Sequence, residues 1–186
     1  MRIFDTIIVV FWLIFLVYWL ISSIGVKSNQ QGTGTSWLRE AGVRLAIAIT
    51  IILLVKSPLR RYMTSINNST IDSIGVSFCG VGIACAIWAR VYLGRNWGMP
   101  ATLKMEPELV SNGPYALVRH PIYAGILMAI VGTALVAGMS GFVVFVVLCT
   151  YFLHSATKEE KFMTKEFPGR YADYKHRTKM LIPFVL

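Results

Sequence analysis

Two short stretches of this chain carry residue types that could do chemistry. The first is Arg119-His120-Pro121, where a polar loop gives way to an apolar run. Proline suits the first turn of a helix, where its missing N–H costs nothing, so His120 falls at or next to an N-cap. Unpaired backbone N–H groups and the positive end of the helix dipole gather at such a mouth and make an anion site. Arg119 adds a cation, and the pair could hold a carboxylate or a phosphate. The alternative is an interfacial anchor, with Arg119 on lipid phosphates and Tyr115 and Tyr123 in the aromatic belt. The second stretch is Glu159-Glu160, two acids near the end of an apolar helix. Neither the helix dipole nor a bilayer favours acids there. Cationic partners are therefore expected, unless the helix simply runs on into solvent. Ser155 lies four residues before Glu159 and shares its face, whereas His154 points elsewhere.

The elements that must position these residues are apolar helices. Of the 186 residues, 55% are hydrophobic and 15% charged, with a mean hydropathy of +0.61. A soluble domain is about 25% charged, and a bilayer core takes about 20 apolar residues per helix. The sequence predicts spans over 3–26, 38–55, 71–93, 121–138 and 140–157, the second interrupted by Arg44. Only Gly138-Met139-Ser140-Gly141 separates the last two, which predicts a tight helical hairpin. One continuous helix of that length would measure roughly 55 Å, too long to cross once. The N-terminal run is longer than the core of a signal peptide and lacks a clean small-x-small site, so it is expected to stay as the first span. Cys79, Cys85 and Cys149 fall within spans, lack metal-ligand spacing and read as buried thiols. The polar stretch 27–36 reads as a flexible loop. The Gly-, Pro- and charge-rich loop leading to His120 is about 27 residues long, enough to suggest function.

Most of the 18 Lys and Arg residues lie on one side of these spans. They occupy the 27–37 and 94–120 loops and the C-terminal tail, with Arg39, Arg44 and Arg90 at span ends where long side chains can snorkel. The positive-inside bias makes that face cytoplasmic, although Lys56, Arg60 and Arg61 lie on the other. The net charge of +9 comes without a basic-aromatic groove, so membrane lipids rather than nucleic acid are the expected partners. The expected fold is all-α, a polytopic membrane helix bundle of five transmembrane helices in one domain over 1–186. Three N-terminal spans fill 1–93; the loop, the hairpin and a short C-terminal cytoplasmic helix fill 94–186. Composition does not fix an oligomeric state.

The order LV-x2-GPY-x3-RHP-x-Y-x-G from Leu109 to Gly125 comes first, followed by the apolar hairpin, Glu159-Glu160 and FPGRYADY from Phe167. Together these elements closely resemble the isoprenylcysteine carboxyl methyltransferase and phospholipid methyltransferase family. The resemblance covers residues 93–184, ending with Pro183-Phe184, whereas the first three spans match only in being apolar. It implies an integral membrane methyltransferase that binds S-adenosyl-L-methionine at the cytoplasmic edge, between loop, hairpin and C-terminal helix. By motif the cofactor contacts would be Glu108, Leu109, Val110, Tyr115, His120, Pro121, Ile122, Tyr123 and Glu159, with Lys104 as the upstream polar candidate. Arg119 and Ser155 are the residues expected on the catalytic side, and no metal is implied. The implied acceptor is a lipophilic or small apolar molecule methylated on a carboxyl, thiol, amine or hydroxyl. Eukaryotic prenylcysteine enzymes carry an Arg one turn before the cofactor-binding Glu, where this chain has Ser155. His154 lies about 100° round the helix from it, so prenylcysteine itself is in question while methyl transfer is not. Membrane sterol-type reductases share a His-Pro-x-Tyr-x-Gly turn and bind NADPH, but usually have more spans. A non-catalytic membrane binding protein of the same architecture is the third reading.

Overall fold

The computed structural model describes residues 2–22, 24, 68–97 and 108–185. Its helices are α1 (Ile3–Ser22), α2 (Ser69–Leu93), α3 (Pro121–Ala137), α4 (Met139–Glu166) and α5 (Arg170–Arg177). Two 3-10 turns, Gly94–Asn96 and Gly113–Ala116, lie within the loop between α2 and α3. Helices α1, α2 and α4 are long and apolar enough to cross a bilayer, and α3 is a shorter apolar helix. The exposed Val9, Leu13, Leu16 and Leu20 of α1 make the kind of apolar surface that lipid rather than water covers. The span expected at 38–55 and the loop residue Lys104 lie outside the described residues.

Local chemistry sets the helix ends. The Asn68 side chain accepts the N–H groups of Thr70 and Ile71 and caps α2, satisfying donors that have no intrahelical partner. Pro121 opens α3, and Gly138, with φ 84°, closes it before α4 begins at the next residue. Helix α4 continues nine residues past 157, where the expected membrane span ends. The segment Lys158–Glu166 is polar but contains only residues that tolerate a helix, and the break comes at Pro168-Gly169. Hydropathy marked the end of the apolar stretch, not the end of the helix.

Helices α2 and α3 meet along a seam of small residues. Gly75, Cys79, Gly82, Ala86 and Ala89 recur at alternating steps of four and three, and so do Ile122, Gly125, Ala129, Gly132 and Val136. A Cβ on Gly132 would come within 2.4 Å of the Cys79 nitrogen, and one on Gly82 within 2.5 Å of the Ala129 nitrogen. The backbones are thus nearly in contact, the geometry by which apolar helices gain packing without a hydrophobic driving force. Gly75 meets Gly132 while Gly82 meets Gly125, so the two helices run antiparallel. Helix α1 runs parallel to α2: Arg2 pairs with buried Asp72 at 3.0 Å at one end, and Arg90 donates to the Ser22 carbonyl at the other.

Arg90 corrects one expectation, since it does not snorkel. It is 3% exposed, lies over the Trp97 ring at 4.9 Å and donates to the Gly94 carbonyl at 2.7 Å. The C-terminal carbonyls of α1 and α2 carry the negative ends of two helix dipoles and draw the cation inward. Of the three thiols, Cys79 is buried and Cys85 and Cys149 are half-buried.

Candidate active site

The site grows from the mouth of α3. Val118 forms a parallel bridge with Lys179, Arg119 N–H donates to the Lys179 carbonyl at 2.8 Å, and His120 N–H to that of Met180 at 3.0 Å. These bonds fasten the C-terminal tail across the start of the helix. The His120 carbonyl accepts Ala124 N–H at 3.0 Å, while its side chain makes no capping bond. The imidazole is instead stacked on Tyr123, with centroids 5.4 Å apart and planes 2° from parallel. Tyr123 in turn stacks on Phe152 of α4 at 4.7 Å.

The two acids divide between two tasks. Glu159 accepts the Tyr123 hydroxyl at 2.5 Å, and its other oxygen lies 3.5 Å from His120 Nδ1. Phe152 and Glu159 are seven residues apart and share a face of α4, with Ser155 between them, 2% exposed. Glu160 turns away from this stack. Arg119 Nε donates to it at 2.6 Å and Lys175 Nζ lies 2.8 Å away, while Arg119 also donates to the Thr178 carbonyl. Tyr174 of α5 closes the base by donating to the Tyr115 carbonyl at 2.7 Å.

Burial and charge tune these groups. Burial alone would push Glu160 up, but the neighbouring His120, Lys175 and Arg119 outweigh it and hold the carboxyl down to about 2. For His120 burial disfavours the charged ring, yet the two carboxylates beside it, Glu159 and Glu160, prevail and raise its pKa. Burial pushes the Tyr115 hydroxyl far above its usual range, so it stays protonated.

The residues expected from the sequence fall into three groups. Tyr115, Ile122 and Tyr123 share one buried cluster with Phe152 and Ala156, and His120, Ser155 and Glu159 adjoin it through the stack and the α4 face. Buried Pro121 opens the helix beneath. Glu108, Leu109 and Val110 line a cavity of about 670 Å³ with Tyr92, Asn96 and Ser111, a volume typical of small-molecule pockets. Val110 also packs on the Tyr115–Tyr123 cluster, which joins cavity to stack. Arg119 faces Glu160 and the tail, so it positions the mouth. Its side chain is 9% exposed and both tyrosines are buried, which argues against the interfacial-anchor reading. His154 is exposed, about 100° round the helix from Ser155. Sequence reasoning missed Lys175, Tyr174 and Thr178. The available signal was the pair Tyr171 and Tyr174, three apart in an otherwise polar helix and both buried.

A family model described as phospholipid methyltransferase matches residues 71–170, more than half of the chain. That stretch contains the seam, the α3 mouth and both acids. The chain belongs to the phospholipid methyltransferase family. Within it, the chain is 28% identical over 119 residues to protein-S-isoprenylcysteine O-methyltransferase B of Arabidopsis thaliana, covering 62% of this chain and 60% of that one. It is 24% identical over 172 residues to protein-S-isoprenylcysteine O-methyltransferase of Schizosaccharomyces pombe, covering 90% and 67%. It is also 29% identical over 117 residues to the cobalt-zinc-cadmium resistance protein CzcN of Cupriavidus metallidurans, covering 61% and 48%. The chain spans about half to two thirds of the length of these relatives. Their names differ in function, so family membership does not by itself name an acceptor.

Proposed function

We propose that this protein is a membrane methyltransferase that takes a methyl group from S-adenosyl-L-methionine and passes it to a lipophilic acceptor at the cytoplasmic face. The observation that carries this reading is the His120–Tyr123–Phe152 stack closed by Glu159, set within the segment that marks the family. The residues fit the cofactor. His120 Nε2 is buried and finds no hydrogen-bond partner among the described residues, lying 3.6 Å from Glu160 and so beyond hydrogen-bonding range. With its raised pKa and its place at a helix N-terminus, His120 suits a carboxylate. Glu159, with 23% of its side chain exposed, suits an ammonium or sulfonium, and the Tyr123 and Phe152 rings favour a cation nearby. Glu108, at the cavity wall, can accept from hydroxyl groups.

When bound, the cofactor supplies an electrophilic methyl group on a sulfonium. The chain's task is to align the partners and keep water out, and the buried Tyr115, Ile122 and Phe152 make that apolar wall. Ser155, one turn before Glu159, is assigned to the acceptor side. An acceptor that is already anionic needs no general base, whereas an amine must first lose a proton. The topology proposed is five spans, with α3 and α4 as a hairpin. Gly141 touches Ala134 while Glu159 bonds Tyr123, as antiparallel neighbours do. The parallel run of α1 and α2 is what a single intervening crossing produces. The basic tail supports a cytoplasmic site.

The test is to incubate purified protein with isotopically labelled S-adenosylmethionine and lipid extracts or thiol pools, and to follow the label by mass spectrometry. Label should enter a lipophilic product, and Ser155→Ala should slow acceptor turnover more than it weakens cofactor binding. Oxidation of NADPH without methyl transfer would instead make the protein a reductase.

A further inference from the structure

Helix α5 carries two guanidinium groups that the site above does not use. Arg170 and Arg177 are seven residues apart, two turns of one helix face, and both line a half-open cavity of about 330 Å³. Its opposite wall is the loop around Ser111 and Ala116. Among the described residues neither arginine is paired with a carboxylate, whereas Glu160 is already matched by Arg119 and Lys175. Asp173 lines the same cavity, but one acid between two arginines leaves the cavity positive. Arg170 sits 5.9 Å from the Phe167 ring, which steadies its planar head.

We propose that this cavity is a binding site for a phosphate group, gripped by Arg170 and Arg177 from the two ends of α5 with Ser111 facing them across the cavity. The two residues are about 10 Å apart along the helix axis, a gap that two long arginine side chains close from either end. Planar guanidinium forks match phosphate oxygens in pairs. The floor is rigid: Tyr174 is fixed to the Tyr115 carbonyl, and Thr178 donates to the Tyr174 carbonyl at 2.7 Å. The phosphate could come from a lipid headgroup or from solution. Exposed Leu117 follows the cavity wall, and exposed Ile182, Phe184 and Val185 follow α5. Apolar side chains beside basic ones are the composition of a surface resting on a membrane interface. The cavity shares Leu109 and Ser111 with the one beside Glu108, but neither arginine lines that neighbour, so the phosphate site can fail while the methyl-transfer reading stands.

The experiment uses the full chain in a neutral detergent, titrated at constant ionic strength with phosphatidylglycerol, phosphatidylcholine or inorganic phosphate, with the thermal midpoint as readout. Phosphatidylglycerol should raise the midpoint of the wild type, and the double variant R170Q/R177Q should need roughly tenfold more of it. A K161Q/K165Q control removes the same charge from exposed positions on α4 and should behave as the wild type. A response to inorganic phosphate alone, still lost in R170Q/R177Q, keeps the site and makes soluble phosphate its ligand. Equal responses in wild type and R170Q/R177Q, or an equal loss in the lysine control, would overturn it, since the effect would then be diffuse charge. S-adenosylmethionine affinity should be unchanged in R170Q/R177Q, which keeps this result apart from the fate of the methyl-transfer reading.

Discussion

Glu159 and Glu160 are adjacent in sequence but about 100° apart around α4, and that angle gives them different work. Glu160 is ringed by Arg119 and Lys175 and is almost fully enclosed. Replacing it with glutamine leaves Arg119 buried without its counter-charge, so Glu160→Gln should cost about 3 kcal/mol of stability, measurable by denaturant unfolding in detergent. Glu159→Gln, on the more exposed acid, should cost less stability and more ligand affinity. The cluster also predicts a pH dependence. Glu160 titrates lower in the fold than in the unfolded chain, so its contribution is complete above about pH 4.3 and is lost as pH falls toward about 2. His120 titrates higher in the fold, so its contribution is present below about pH 6.5 and is lost as pH rises through its raised value. The thermal midpoint should therefore peak between these limits. Glu160→Gln should remove the acid limb and His120→Gln the alkaline one. At this scale the sequence was partly legible. Acids at an apolar helix end had to have partners, but which acid took which partner depended on a residue of the next helix, Lys175, well beyond Glu160 in sequence.

The elements were most readable where Pro and Gly punctuate them. Helix α3 begins at Pro121 as expected and ends one residue short of the predicted 138, because Pro121 and Gly138 leave little choice. The end of α4 was left open because hydropathy, which limits the span, and helix propensity part company after Thr157. The buried Arg90 was misjudged because sequence does not reveal that the carbonyl ends of two helices converge on it. The α2–α3 seam was present in the sequence as small residues at steps of four and three, a pattern visible only if apolar helices are read for close packing as well as hydropathy. It predicts a contrast. Gly132→Ala pushes a Cβ against the Cys79 backbone, which has nowhere to move, and should cost about 1–3 kcal/mol. Gly80→Ala meets only the edge of the Phe11 ring at 3.0 Å, which can turn aside, and should leave the unfolding midpoint nearly unchanged.

Across the whole molecule, ion pairs mark both ends of the bundle. Arg2, Asp5 and Asp72 join at one end, where Arg2 also donates to the Val136 carbonyl at 2.9 Å. The Glu160 cluster, the cavities and the basic tail lie at the other. Among the described residues the second end brings together a helix mouth, an aromatic stack and a cavity, which is why the chemistry is assigned there. The most direct test is calorimetric titration of the purified chain with S-adenosylmethionine and with NADPH, repeated on His120→Ala and Glu159→Ala. S-adenosylmethionine should bind once per chain and NADPH should not. Each variant should stay folded and bind the methyl donor at least about tenfold more weakly. Preferential NADPH binding, or unchanged affinity for the methyl donor in both variants, would contradict the account.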